Sequence, residues 1–281
     1  MTDGMLSFIC GLSCALVWGA GDFSGGLAAK KCNSFLVVLY SQALGLIVLI
    51  LPAVFWDLNF PSWNKMLGAV IAGSLGALGL AALYKGLSQG KMGITAPISA
   101  VVGALIPIVF SSVYEGAPGM FQYFGFAAAI LAIWLISSQT GHDGFTAADL
   151  KYPLVAGLGF GLYFTIIDQV CGDGVLWPLV GSRIGAIAIL LPLVLLREGL
   201  TAPPQPSSWL FIALAGLLDA AGSSLFALAA VLGRLDIAAA LASLYPTTTV
   251  LLAWMVLREN LRTRQWAGVM AAVSSLVLAA I

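Results

Sequence analysis

Five charged residues interrupt otherwise apolar stretches of this 281-residue chain: Asp22, Lys85, Asp168, Arg183 and Asp219. A charge near the centre of a membrane helix costs about 2.5–3.5 kcal/mol on insertion scales, so it ordinarily faces a partner or a wet cavity. Such residues serve as proton relays, counter-ions or ligand contacts. Two of the five close copies of a single motif. Gly11-Leu12, Leu16, Trp18 and Asp22 have the same spacing as Gly157-Leu158, Leu162, Phe164 and Asp168. An internal repeat of this kind constrains the whole architecture.

Depth sorts these charges. At about 1.5 Å rise per residue, Asp22 and Lys85 come late in their spans and reach one face, where they either pair or snorkel to the interface. Asp168 reaches the opposite face, while Arg183 and Asp219 arrive near the midplane and are expected to pair as a structural lock. Asp168 is then left without an obvious basic partner, and an unpaired, desolvated carboxylate can carry a proton. Asp168 is therefore the expected coupling residue; the alternative is a carboxylate near the interface bonded to backbone or water. Uncharged polar residues gather around Tyr245-Pro246-Thr247-Thr248-Thr249, with Ser243, and more weakly at Ser99 and Ser223-Ser224. They either line a cavity or bond back to their own helix. Pro97, Pro107 and Pro246 are expected to interrupt their helices.

The elements that must position these groups follow from composition. The chain is 60% hydrophobic and 9% charged, with mean hydropathy +1.02, whereas soluble domains carry about a quarter charged residues. Apolar runs long enough for a hydrocarbon core of roughly 30 Å recur near 5–28, 34–55, 64–88, 93–114, 119–138, 151–171, 175–196, 208–232, 236–257 and 264–281. The first is read as a retained helix rather than a cleaved signal. The longest connection, 138–150, divides the chain into halves at 1–140 and 141–281. Further echoes link the halves: Ala72-Gly73 and Gly79 with Ala215-Gly216 and Gly222, Ser41-Gln42 with Ser182-Arg183, and Glu115 with Glu259. Five spans per half is an odd number, so the copies insert in opposite senses. The expected fold is all-α: a polytopic membrane protein of ten transmembrane helices in two inverted five-helix repeats.

Other features narrow the reading. Net charge is zero, which gives no basic surface for nucleic acid. Lys30, Lys31, Lys91, Lys151, Arg197, Arg258, Arg262 and Arg264 share one side, against Lys65 and Arg234 on the other; by the positive-inside rule both termini then face away from the cytoplasm. Gly21/Gly25, Gly86/Gly90, Gly157/Gly161 and Gly181/Gly185 are GxxxG pairs, expected to pack helices within the chain. Trp56, Trp63, Tyr114, Tyr152, Trp177, Trp209 and Trp266 sit near predicted span ends as interfacial anchors. Cys10, Cys14, Cys32 and Cys171 form no disulfide framework, and Cys10 and Cys14 lack a third ligand for a metal. The one histidine, His142, falls in the longest loop, and no HExxH, Walker or GxSxG motif occurs. No cofactor, metal or enzymatic role is expected.

The ten-span pattern, Trp18-Gly19, Arg183 in span seven, Glu115 after span four and Leu257-Arg258-Glu259 after span nine resemble the EamA-type drug/metabolite transporter superfamily. The resemblance implies a central cavity lined chiefly by spans one, three, four, six, eight and nine, bordered by Trp18, Tyr84, Ser99, Tyr163, Ser223, Tyr245 and Thr248. It also implies movement of amino acids, other small metabolites or drugs, often outward and coupled to protons or exchange. Termini in the family commonly face the cytoplasm, opposite to the charge count, and Gln42 stands where many members have a basic residue. The expected function is a secondary transporter, exporting a small polar or amphipathic metabolite across the cell membrane by alternating access. Substrate is expected near Asp219, Tyr245 and Thr248, with Asp22 and Lys85 gating one face and Asp168 the other. The expected partners are a small-molecule substrate and the lipid bilayer, with no nucleic acid, and a monomer is compatible with the sequence. Alternatives are a lipid flippase or an uncoupled facilitator. A membrane enzyme for lipid-linked substrates would need acid and base groups clustered at one interface, but these charges are scattered in depth. Three aspartates against one lysine and one arginine favour a cationic or zwitterionic ligand.

Overall fold

A computed structural model describes residues 3–56, 60–88, 92–114, 116–137, 150–197, 205–257 and 263–280. Among these residues every regular element is a helix. The first five are α1 (Asp3–Ala29), α2 (Ser34–Trp56), α3 (Trp63–Ser88), α4 (Met92–Tyr114) and α5 (Met120–Ser137). Then follow α6 (Lys151–Val170), α7 (Leu176–Arg197), α8 (Pro206–Leu232), α9 (Leu235–Ala242), α10 (Tyr245–Leu257) and α11 (Thr263–Ala280). Each expected segment is helical over most of its length. Seven runs are long and apolar enough to cross a membrane: α1, α2, α3, α6, α7, α8 and the combined run Leu235–Val256. The helices α4 and α5 contribute shorter apolar runs, Ile98–Tyr114 and Met120–Ala132. His142, Lys91, Gly90, Glu115, Arg258, Glu259 and Arg262 lie outside the described residues.

Local chemistry sets several helix ends. Asn33 caps α2, its Oδ1 accepting the Phe35 N–H at 2.8 Å. Pro206 opens α8, where the missing N–H has no intrahelical partner to lose. Span nine divides into α9 and α10 around Ser243 and Leu244. Pro246, second in α10, has no N–H for the carbonyl four residues back, which lies at the end of α9. The expectation of a break at all three prolines needs correction, because α4 runs unbroken past Pro97 and Pro107. A proline removes one ladder bond, and a membrane helix held by neighbours tolerates that loss.

The helices pack in a regular scheme. The helix α1 lies on α8 as α6 lies on α3; α2 meets α8 as α7 meets α3; α4 contacts α6 as α9 and α10 contact α1. In addition, α2 packs on α7 and α5 on α11. Glycine permits the closest of these approaches. A Cβ on Gly73 would overlap the Ser182 carbonyl, and one on Gly216 would lie 2.5 Å from the Ser41 carbonyl oxygen. These are the glycines and serines that the sequence echoes set in correspondence. Gly185 is pressed likewise onto Val70, Gly25 onto the Tyr84 ring, and Gly157 onto Val102 and Ser99. The described GxxxG glycines thus serve contacts within the chain. Trp56 and Trp63, each 80% exposed, stand at helix ends where interfacial anchoring places aromatic rings.

Gly73→Ala and Gly216→Ala should each lower stability by about 1–3 kcal/mol, the usual cost of overpacking. Gly4→Ala, with nothing near its Cβ position, should be neutral. Unfolding of purified protein in detergent, followed by thermal melting, measures the difference.

Candidate functional site

Where these helices converge they enclose a cavity with about 550 Å³ of atom-free space, part of it open to the outside. The helix α1 supplies Trp18 and Asp22, α2 supplies Gln42, and α3 supplies Gly73, Gly76, Ala77 and Leu80. From the second half come Phe160, Tyr163 and Phe164 of α6, Ser182 and Arg183 of α7, Asp219 and Ser223 of α8, and Tyr245 of α10.

The polar centre is built on Arg183, only 4% exposed. Its Nη1 donates to Asp219 Oδ2 and to Gln42 Oε1; its Nη2 donates to Ser223 Oγ at 2.8 Å and to the Asp219 carbonyl at 3.2 Å. Gln42 closes the ring by donating Nε2 to Asp219 Oδ2 at 2.9 Å. The expected Arg183–Asp219 pair is therefore present, with two further side chains stitched into it. Burying a guanidinium is strongly unfavourable unless its charge and donors are matched, and here α2 and α8 match its charge and its two terminal nitrogens.

Aromatic rings form the adjoining wall. Trp18 stacks on Phe164 at 5.5 Å between centroids and on Phe226 at 5.7 Å. Trp18 and Phe164 hold the same position in the doubled motif, so the two copies touch at that point. Gly222 provides the room, since a Cβ there would collide with the indole. The Trp18 Nε1 has no hydrogen-bond partner. Tyr163 lies beside Ser223 without meeting hydrogen-bond geometry. Tyr245 donates its hydroxyl to the Ala96 carbonyl at 3.3 Å, joining α10 to α4.

Of the residues singled out by sequence, Trp18, Asp22, Tyr163, Arg183, Asp219, Ser223 and Tyr245 line this one cavity. The others fall outside its lining. Tyr84 is buried against Gly25 and faces Asp22. Ser99 donates back to the Thr95 carbonyl at 2.6 Å, and Thr248 packs on Gly19. Lys85 is exposed and makes no ion pair with Asp22: Tyr84 and Lys85 are consecutive on a helix and turn to different sides. Asp168 sits two residues from the end of α6, where Gln169 Nε2 donates to it at 2.8 Å, and it has further interactions. Sequence reasoning missed Gln42 as a site residue. Its place beside Ser41, in register with Ser182-Arg183, was the available signal.

Residues 150–281 match the model of the EamA-like transporter family. From α6 onward the chain is therefore similar to EamA-like transporters. A solved crystal structure superposes with a TM-score of 0.77 at 15% identity, covering 97% of this chain and 96% of its own, a likeness of fold alone. No curated protein matches the sequence. With several apolar helices long enough to span a bilayer, the chain is a multi-pass membrane protein.

Truncating one member of the buried pair leaves the other uncompensated. Arg183→Leu and Asp219→Leu should each destabilise by about 3–5 kcal/mol. The double variant should lose less than the two losses added together. A double-mutant cycle on detergent-solubilised protein reads the coupling, and simple additivity would show that the pair is not a lock.

Proposed function

We propose that this EamA-like chain is a secondary transporter that exports a small polar or amphipathic metabolite across the cell membrane by alternating access. The carrying observation is the cavity itself, whose lining comes from both halves of the chain and meets at a buried Arg183–Gln42–Asp219–Ser223 cluster. Two inverted five-helix repeats, divided near residue 140, underlie the proposed mechanism. Its support is the packing scheme, in which exchanging α1 with α6, α2 with α7, α3 with α8 and α4 with α9–α10 maps contacts onto contacts. The matched pairs Gly73–Ser182 and Gly216–Ser41 add to it. Related halves can trade conformations about a shared site, so that it opens first to one side and then to the other.

In this reading Trp18, Asp22, Tyr163, Asp219, Ser223 and Tyr245 contact substrate, and Arg183 holds the polar wall in place. Tyr84, Ser99 and Thr248 support that lining from behind. Lys85 and Asp168, outside the cavity, act at its two approaches.

Purified protein in liposomes, offered radiolabelled amino acids, polyamines and nucleosides with and without a pH gradient, tests the proposal. Saturable flux of one class is expected, falling at least tenfold in Arg183→Leu. Absence of flux for every class would count against transport. Equal pH-gradient dependence in wild type and Asp168→Asn would remove Asp168 from any proton-coupling role.

A further inference from the structure

Three charged side chains line the cavity: Asp22, Arg183 and Asp219. Arg183 is engaged at its two terminal nitrogens, while its Nε has no hydrogen-bond partner. Both terminal nitrogens are hydrogen-bonded to Gln42, Asp219 and Ser223, and its Nε lies 3.4 Å from the Cβ position of Gly45, which does not line the cavity. Its charge is matched by Asp219, so an incoming anion would find no free cation. Asp22 is different. Among the described residues no cation pairs with it, and the groups facing it are Tyr84 of α3, Asp219 of α8 and Tyr245 of α10. One arginine against two carboxyl groups leaves Asp22 without a basic partner on the cavity wall.

The remaining wall suits a cation. Phe160, Tyr163, Phe164 and Tyr245 present aromatic rings, whose electron-rich faces attract ammonium groups. A second polar contact is available. Tyr163 is 8% exposed, and its hydroxyl has no hydrogen-bond partner. An anion here would sit beside two carboxyl groups in a low-dielectric space, and a neutral guest would bring Asp22 no charge to pair with, whereas an ammonium group would favour its ionised form.

We infer that the cavity takes a small organic ammonium ion, its charged nitrogen on the Asp22 carboxylate and a hydroxyl or carbonyl of the same molecule on the Tyr163 hydroxyl. The inference rests on the reading of this cavity as the substrate site of a transporter. Asp168, its counterpart in the doubled motif, lies outside the lining, so the cation site belongs to one copy of the repeat.

Three probes of nearly equal size isolate charge: ethanolamine, ethylene glycol and glycolate. Calorimetric titration into full-length protein in detergent should show saturable ethanolamine binding, with ethylene glycol and glycolate at least tenfold weaker. Asp22→Asn should weaken ethanolamine at least tenfold, Asp22→Glu should retain most of it, and Tyr163→Phe should weaken it severalfold without changing the preference for cations. Asp3→Asn, at the exposed start of α1, should bind as wild type does. Glycolate binding as well as ethanolamine, unchanged binding in a folded Asp22→Asn, or no saturable ethanolamine binding in wild type would each overturn the inference. If Asp22→Asn fails to fold, the three-probe comparison on wild type and the Tyr163→Phe titration decide. Liposome flux separates the two readings. Ethanolamine binding without flux of any probe overturns transport and leaves the cation site standing, whereas glycolate flux that survives Asp22→Glu and Asp22→Asn does the reverse.

Discussion

Backbone-to-backbone approach through glycine governs this structure. In lipid no hydrophobic effect drives one apolar helix onto another, so association depends on close contact. Two such contacts are where Gly73 meets the Ser182 carbonyl and Gly216 meets the Ser41 carbonyl. Those serines immediately precede Arg183 and Gln42. The same close approach that joins α3 to α7 and α8 to α2 thus delivers the guanidinium and the carboxamide to one place. With a methyl group at either glycine, the helices would part and the polar ring around Asp219 would lose its registration.

Much of this was legible in the sequence, for a definable reason. A repeat preserves spacing, and spacing on a helix fixes direction: the doubled motif and the Ser-Gln/Ser-Arg correspondence marked residues that do meet. The Arg183–Asp219 pair was legible as well, because two opposite charges at equal depth have few other ways to be buried. Less visible was which side of its helix each residue takes. Lys85 appeared matched to Asp22 by depth, yet its immediate neighbour Tyr84 turns inward and Lys85 turns out. Depth is a one-dimensional measure, whereas pairing requires azimuth. Proline was similarly ambiguous, since Pro107 sits within a continuous α4 while Pro246 accompanies a divided span.

Under the proposed pairing of the two halves, the positions brought into correspondence are unlike in chemistry. The Gly73–Gly216 correspondence carries Gly76 onto Asp219 and Leu80 onto Ser223, and all four line the cavity. One wall is therefore small and apolar where the other carries a carboxylate and a hydroxyl. Gln42 opposite Arg183 continues the pattern. A charge on each side would require two buried ion pairs, with twice the desolvation to offset. One charged pair and one neutral bridge avoid that duplication.

At the rim, Arg234 grips both oxygens of the fully buried Asp236, with Nη2–Oδ2 at 2.9 Å, and also donates to the Gly116 carbonyl at 2.8 Å. Gly116 has φ +92°, a backbone shape natural to glycine, in the linker between α4 and α5. The corner before α9 and the corner before α5 are in this way riveted together. In mechanical terms they form a single hinge plate. A force that swings α5 outward is transmitted through one guanidinium to the start of α9, whose far end abuts the break before α10, so displacement at the surface is geared to the part of the chain that holds Tyr245.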